Sequence, residues 1–203
     1  FGTHLKQQKS KNILYFPNKK ELNILNLKNI SKYLKKIKPH VLIHLAGLSR
    51  PMIEHNVNIK RSIDLNIIGT ANITKACSDL KIKLVYFSTN YVYPGVKGNY
   101  NEKDPVLPVN NYAWSKLGGE ASVQLYKNSL ILRVSMTEKP FIHDKAFGNV
   151  KTSFMFHDDV SKILFKVIDK KGIINIGGKS QFIYDFAKKN KPNVKKIYLN
   201  KNL

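Results

Sequence analysis

Tyr112 and Lys116 stand four residues apart in Tyr112-Ala-Trp-Ser-Lys116, and Thr89 closes the apolar run Leu84-Val-Tyr-Phe-Ser-Thr89, 23 positions upstream. On a helix, side chains at i and i+4 share a face, so the phenol and the ammonium would point the same way, toward the strand end that carries the hydroxyl. This is a set of groups that can protonate a carbonyl oxygen while its carbon is reduced. A phenol with an ordinary pKa near 10 is a poor acid or base at neutral pH, and a neighbouring cation lowers it. The lysine is therefore a chemical requirement of the scheme.

The spacing alone is weak evidence. With ten tyrosines and 35 Lys plus Arg residues in the chain, about one or two Tyr-x-x-x-Lys matches arise by chance. Four are present. Tyr15/Lys19 spans Pro17, and Tyr93/Lys97 spans Pro94-Gly95, so neither pair fits a helical face. Tyr184/Lys188 fits a helix but follows no hydroxyl-tipped strand. Only Tyr112 has the complete context.

The elements that must position these groups follow from periodicity. Asn12 to Phe16 reads as a strand closed by Pro17, Ile30 to Ile37 as a helix, and Val41 to Leu45 as an apolar strand ending at Ala46-Gly47. A long helix is expected over Ser62 to Leu80 and a strand over Ile82 to Phe87. A Pro-, Gly- and Asn-rich loop then runs from Asn90 to Asn110. Helix Asn111 to Tyr126 and strand Leu130 to Val134 come next. Short apolar strands separated by helices predict an α/β fold with a doubly wound parallel sheet. Beyond Val134 the pattern is less regular: a helix from Asp158 or Asp159 to Asp169, strand Gly172 to Ile176, a helix around Phe182 to Lys189 and a strand Val194 to Leu199. Residues 1–135 are read as the main domain and 136–203 as a small lobe over the carboxyl ends of the sheet, where such folds bind ligands.

Composition narrows the class. The chain has 203 residues, 42% of them hydrophobic, enough for a real core. No apolar run approaches the roughly 20 residues of a membrane span, and no charged-then-apolar segment opens the chain. Cytoplasmic localisation without membrane attachment is the expectation. Cys77 is the single cysteine and reads as a buried thiol. The net charge of +22 would attract polyanions. However, only Arg50, Arg61 and Arg133 are arginines and the lysines are scattered, which argues against nucleic acid as a partner. No Cys/His spacing suggests a metal site.

A further set of motifs at ordered spacings carries a family resemblance. Ser88-Thr-Asn-Tyr-Val-Tyr-Pro-Gly95, Lys97-Gly-Asn-Tyr-Asn-Glu-Lys-Asp-Pro105 and Pro108-Val-Asn-Asn-Tyr112-Ala-Trp-Ser-Lys116-Leu-Gly-Gly-Glu120 resemble the extended short-chain dehydrogenases acting on nucleotide sugars, the dTDP-4-dehydrorhamnose reductase branch most of all. Leu45-Ala-Gly47, Asn66-Ile-Ile-Gly-Thr70, Leu132-Arg-Val-Ser135, His157-Asp-Asp-Val160 and Ile174-Asn-Ile-Gly-Gly178 extend the likeness over most of the chain.

The resemblance implies a Rossmann-like fold, a nucleotide-diphosphate sugar as substrate and NADPH or NADH as cofactor. It implies Tyr112 as proton donor, Lys116 as the group that lowers its pKa and holds the cofactor ribose, and Thr89 as hydrogen-bond donor to the carbonyl. Ser88 beside it is a weaker candidate. Gly2, Asn23, Ile24, Ala46 and Gly47, with Tyr112 and Lys116, are the implied cofactor contacts. For Ala46 and Gly47 tight strand-turn packing is an equal reading, and Asn66 reads as support for the helix of Tyr112. Phe16-Pro-Asn-Lys-Lys20 offers cations and no acid before Glu21, which leans toward NADPH.

Asn90-Tyr91 occupy the place where related dehydratases carry an acidic pair, so reduction or epimerisation is expected rather than dehydration. The opening Phe1-Gly2-Thr-His-Leu5 looks like the tail of a Gly-rich turn, so the family's first strand is expected to be missing from this chain. A non-catalytic regulatory subunit that binds dinucleotide is the alternative from another class. Pairing of the helix of Tyr112 in a homodimer, common in this superfamily, is one assembly the resemblance implies.

Overall fold

The computed structural model describes residues 1–7 and 11–200. Its order is α1 (Gly2–Gln7), α2 (Leu27–Ile37), β1 (Val41–His44), α3 (Glu54–Val57), α4 (Ile59–Ser62), a π-helical turn (Ile63–Ile68), α5 (Gly69–Asp79), β2 (Lys83–Thr89), α6 (Asn111–Gln124) and β3 (Ser129–Val134). There follow β4 (Met136–Thr137), β5 (Lys145–Phe147), β6 (Lys151–Thr152), β7 (Met155–Phe156), α7 (His157–Val167), β8 (Gly172–Ile176), β9 (Gln181–Phe182), α8 (Ile183–Asn190) and β10 (Lys195–Ile197).

Four strands form a parallel sheet in the order β1-β2-β3-β8, with Val41 opposite Lys83, Leu84 opposite Ser129 and Leu130 opposite Gly172. Every residue of β2 and β3 is buried, which is why these strands read as continuous apolar runs. Side chains alternate across the sheet. Leu84, Tyr86 and Ile131 face a core built with Ile30, Leu34, Ile73, Cys77 and Val123, beneath α2, α5 and α6. Val85, Phe87, Leu130 and Leu132 face Leu5, Val160 and Leu164, beneath α1 and α7. The sheet is thus covered on both faces, as the strand and helix alternation predicts. Cys77 is fully buried and its thiol is pushed up to about 12 by burial, so it belongs to the core.

Three expectations need correction. The apolar stretch Asn12 to Phe16 is not a strand. A run of suitable residues becomes a strand only beside a neighbour that completes its hydrogen-bond ladder. Here a cavity of about 600 Å³ lies between Ile13 to Pro17 and Val41 to Leu45, lined by both. Second, the expected helix over Ser62 to Leu80 contains a π turn at its start, where the Gly69 N–H donates to the Asp64 carbonyl.

Third, the division at 135/136 cuts through the sheet, because β8 returns to pair with β3 and α7 covers the same face. What stands apart from the sheet is a smaller cluster in which Phe141, Ala146, Phe186, Ala187 and Val194 pack with Phe154 and Phe156. Strand β5 pairs with β10, and β6 with β9, around it.

Candidate active site

Thr89 is the last residue of β2, at the carboxyl end of the sheet, and is buried. Its hydroxyl caps the following turn by accepting from the Tyr91 N–H at 3.2 Å. Ser88 is otherwise engaged: its Oγ donates to Glu120 at 2.7 Å. Thr89, unlike Ser88, contacts the Tyr112 phenol.

Helix α6 starts where Asn110 caps it, its side chain accepting from the Ala113 N–H at 2.8 Å. The helix lies unusually close to the π turn. A Cβ on Gly119 would meet the Asn66 carbonyl at 2.4 Å and the Tyr86 hydroxyl at 2.7 Å, so only glycine allows this approach. From inside the π turn, Asn66 locks three elements together. Its Oδ1 accepts from the Leu48 N–H at 2.7 Å, and its Nδ2 donates to the Leu48 carbonyl and to Ser115 Oγ, both at 2.8 Å. Ser115 in turn donates to the Tyr112 carbonyl at 2.7 Å. Asn66 thus supports the helix of Tyr112 and the loop after β1 at once.

Tyr112 and Lys116 project from the same face of α6. The Lys116 ammonium sits 4.2 Å from the centre of the Tyr86 ring, whose hydroxyl donates to the Lys116 carbonyl at 2.9 Å. His44 lies beyond Tyr86 and meets Thr70 at 3.0 Å. Burial and the nearby Lys116 charge press His44 down to about 3, so it is neutral.

Burial pushes the Tyr112 phenol up to about 12, and Tyr91 adds to this, while a hydrogen bond with Thr89 and the charge of Arg50 pull the other way. The phenol keeps its proton at neutral pH, the form a donor needs. Burial lowers Lys116 to about 7, against the raising effect of Glu120. The sequence reading assigned the lowering of Tyr112 to Lys116. In this structure the lowering pulls on Tyr112 come from Thr89 and Arg50.

The five remaining cofactor candidates converge. Gly2, Asn23, Ile24, Ala46 and Gly47 all line the 600 Å³ cavity beside β1, a volume within the usual range for small-molecule sites. They are not equally available to a ligand. Ile24 packs in the core, and its carbonyl accepts from Asn72. Asn23 spends its side chain on the Leu25 N–H. A Cβ on Gly47 would meet Asn66 Oδ1 at 2.7 Å, so glycine here is required by the Asn66 clamp. Gly2 and Ala46 leave backbone open to the cavity, Gly2 having nothing within 4 Å of a built Cβ. Most of the lining is apolar, with Leu14, Phe16, Leu34, Leu42, Ile43 and Phe165 among it, and Thr89, Tyr112 and Lys116 are not part of it.

Two residues that sequence reasoning missed lie beside this site. Arg50, in the loop after β1, and Glu138, just after β4, form a two-pronged ion pair at 2.5 and 3.0 Å. Their separation of 88 positions left no local signal. Among the described residues no group of three or more metal-ligating side chains is present, and no helix is long and apolar enough to cross a membrane.

The family follows from comparison. The RmlD substrate binding domain model matches residues 1–146. The chain belongs to this family. Its fold is shared with a dTDP-4-dehydrorhamnose reductase from Bacillus anthracis in complex with NADP, at a TM-score of 0.86, 23% identity and coverage of 98% of this chain and 80% of that one. A dTDP-4-dehydrorhamnose reductase ortholog from Clostridium acetobutylicum matches with a TM-score of 0.84, 24% identity and the same coverage. Among curated relatives, methionine adenosyltransferase 2 subunit beta of Xenopus laevis is 33% identical over 114 residues, 56% of this chain and 34% of that protein. The chain therefore spans about a third of the length of that relative.

Proposed function

We propose that the protein reduces the carbonyl of a nucleotide-linked 4-keto-6-deoxysugar, with Tyr112 as proton donor. The observation that carries this reading is the meeting of the Thr89 hydroxyl and the Tyr112 phenol at the carboxyl end of β2, with Lys116 one helical turn away. NADPH, or NADH, would supply the hydride when bound, held by Gly2, Ala46 and Gly47 together with Tyr112 and Lys116. Thr89 orients the carbonyl oxygen by hydrogen bond, Tyr112 gives that oxygen its proton, and Lys116 stabilises the phenolate left behind. A lysine that titrates near pH 7 can hold or release a proton without a large penalty in either direction. The Bacillus anthracis relative, bound to NADP, supports the choice of NADPH. The same proposal includes a cytoplasmic homodimer.

Asn90-Tyr91 provide no acidic pair after Thr89, which disfavours dehydration. Epimerisation with a transiently reduced cofactor uses the same three residues and is distinguished by stoichiometry. A second reading, a dinucleotide-binding regulatory subunit without turnover, is favoured by the likeness to methionine adenosyltransferase 2 subunit beta. The test is cofactor consumption with a panel of nucleotide-linked 4-keto-6-deoxysugars. Stoichiometric consumption that disappears in Tyr112→Phe supports the reductase. Tight cofactor binding without consumption or sugar isomerisation moves the assignment to the regulatory subunit.

A further inference from the structure

The chain uses lysine for nearly all of its positive charge, so its three arginines mark places where a planar, forked cation is needed. Arg133 is enclosed in the core with Glu120. Arg61 pairs with Glu54 on the neighbouring helix α3, at 3.0 Å. Arg61 also lines the cavity beside β1, whereas Arg50 is the arginine near Tyr91 and Tyr112, its side chain 45% exposed and that of Glu138 31% exposed.

Both partners stand on fixed supports at the carboxyl ends of the sheet. The loop of Arg50 is fastened two residues earlier, where Asn66 bonds both the N–H and the carbonyl of Leu48. Glu138 follows β4, which pairs with β7, and it also accepts from Thr137 Oγ1 at 3.3 Å. Asn66 bonds Leu48 and also Ser115 of α6, so the loop of Arg50 lies against the helix of Tyr112, and the charge of Arg50 is felt at the Tyr91 and Tyr112 phenols. An ion pair this exposed adds little to stability. It can open at small cost, and a phosphate presents the same two-oxygen edge to a guanidinium as a carboxylate does.

We infer that Arg50 is a specificity-determining residue that binds a diphosphate group of the ligand, and that Glu138 is the placeholder which holds the guanidinium in position until the diphosphate displaces it. This inference rests on the proposed nucleotide-sugar site but concerns binding, so it stands or falls separately from turnover. The diphosphate could come from the sugar nucleotide or from the dinucleotide, and both are therefore probed.

The experiment is calorimetric titration of dTDP and, separately, NADPH into the full chain and into Arg50→Gln, Arg50→Lys and Glu138→Gln, each first checked for unchanged thermal unfolding. Arg50→Gln should weaken dTDP by about tenfold or more, as expected for loss of a bidentate charged contact, with NADPH changed less than about twofold. Arg50→Lys, which keeps the charge but not the fork, should fall between. Glu138→Gln removes the competing carboxylate and should tighten dTDP by a few-fold. Selective loss of NADPH binding instead would keep the diphosphate site but assign it to the cofactor. Unchanged affinity for both ligands in Arg50→Gln, or weaker binding in Glu138→Gln, would overturn the inference.

Discussion

Two Arg–Glu pairs in this molecule use the same chemistry to opposite ends. Arg133 and Glu120 are 4% and 0% exposed and meet at 2.5 Å in the core. Their remaining polar atoms are engaged as well: Tyr93 lies 2.8 Å from Arg133, and Ser88 donates to Glu120 at 2.7 Å. Arg50 and Glu138 are 45% and 31% exposed, and Glu138 also accepts from Thr137 and lies near His157 and the Phe1 amino group. The first network ties α6 to β2 and β3 and so fixes the helix that carries Tyr112 and Lys116. The second is a single exposed two-pronged pair between two loops. A fully satisfied buried network is scaffold, whereas a loosely satisfied pair beside reactive groups is available for binding.

The comparison can be broken most severely at the buried pair. Arg133→Met leaves the Glu120 carboxylate enclosed without its cation, which should destabilise the fold by about 3–5 kcal/mol, read from the midpoint of urea unfolding. Next in size is Tyr112→Phe. It should lower kcat by about 10² to 10⁴-fold, the range for loss of a general acid, while the urea midpoint stays almost unchanged.

Lys116→Met separates chemistry from stability on the same helix. Burial lowers the Lys116 pKa to about 7 from 10.5, so between these values the unfolded chain holds a proton that the folded chain has lost. Wild-type stability therefore rises with pH across that window. The variant, free of the buried cation, should be more stable by on the order of 1–3 kcal/mol below pH 7. Its advantage should shrink to nothing as pH climbs toward 10.5. Activity should be lost throughout. Equilibrium unfolding at several pH values, beside kinetics, checks both parts. Smallest of all, Arg50→Gln or Glu138→Gln should change stability by less than about 1 kcal/mol, in contrast to the buried pair.

The same contrast explains how much was legible in the sequence. Strand β2 and helix α6 were readable because their patterns are local: an unbroken apolar run, an Asn cap, and Tyr112 and Lys116 at helical spacing. Thr89 at a strand end and Tyr112 and Lys116 on the following helix could therefore be placed from sequence. The stretch Asn12 to Phe16 misled because strand formation depends on a neighbour that periodicity does not reveal. The division at residue 135 failed because β8 returns to the sheet from far along the chain. The charge state of Lys116 depends on burial over Tyr86, and the Arg50–Glu138 pair depends on two loops meeting across the sheet. Neither leaves a trace in local composition.

The central claim, that Tyr112 serves a net hydride transfer to a sugar carbonyl, is tested most directly with cofactor deuterated at the transferable position. The account predicts one deuterium in the product at the former carbonyl carbon for each cofactor oxidised, with no incorporation by Tyr112→Phe. Sugar converted without net cofactor oxidation and without deuterium in the product would contradict it.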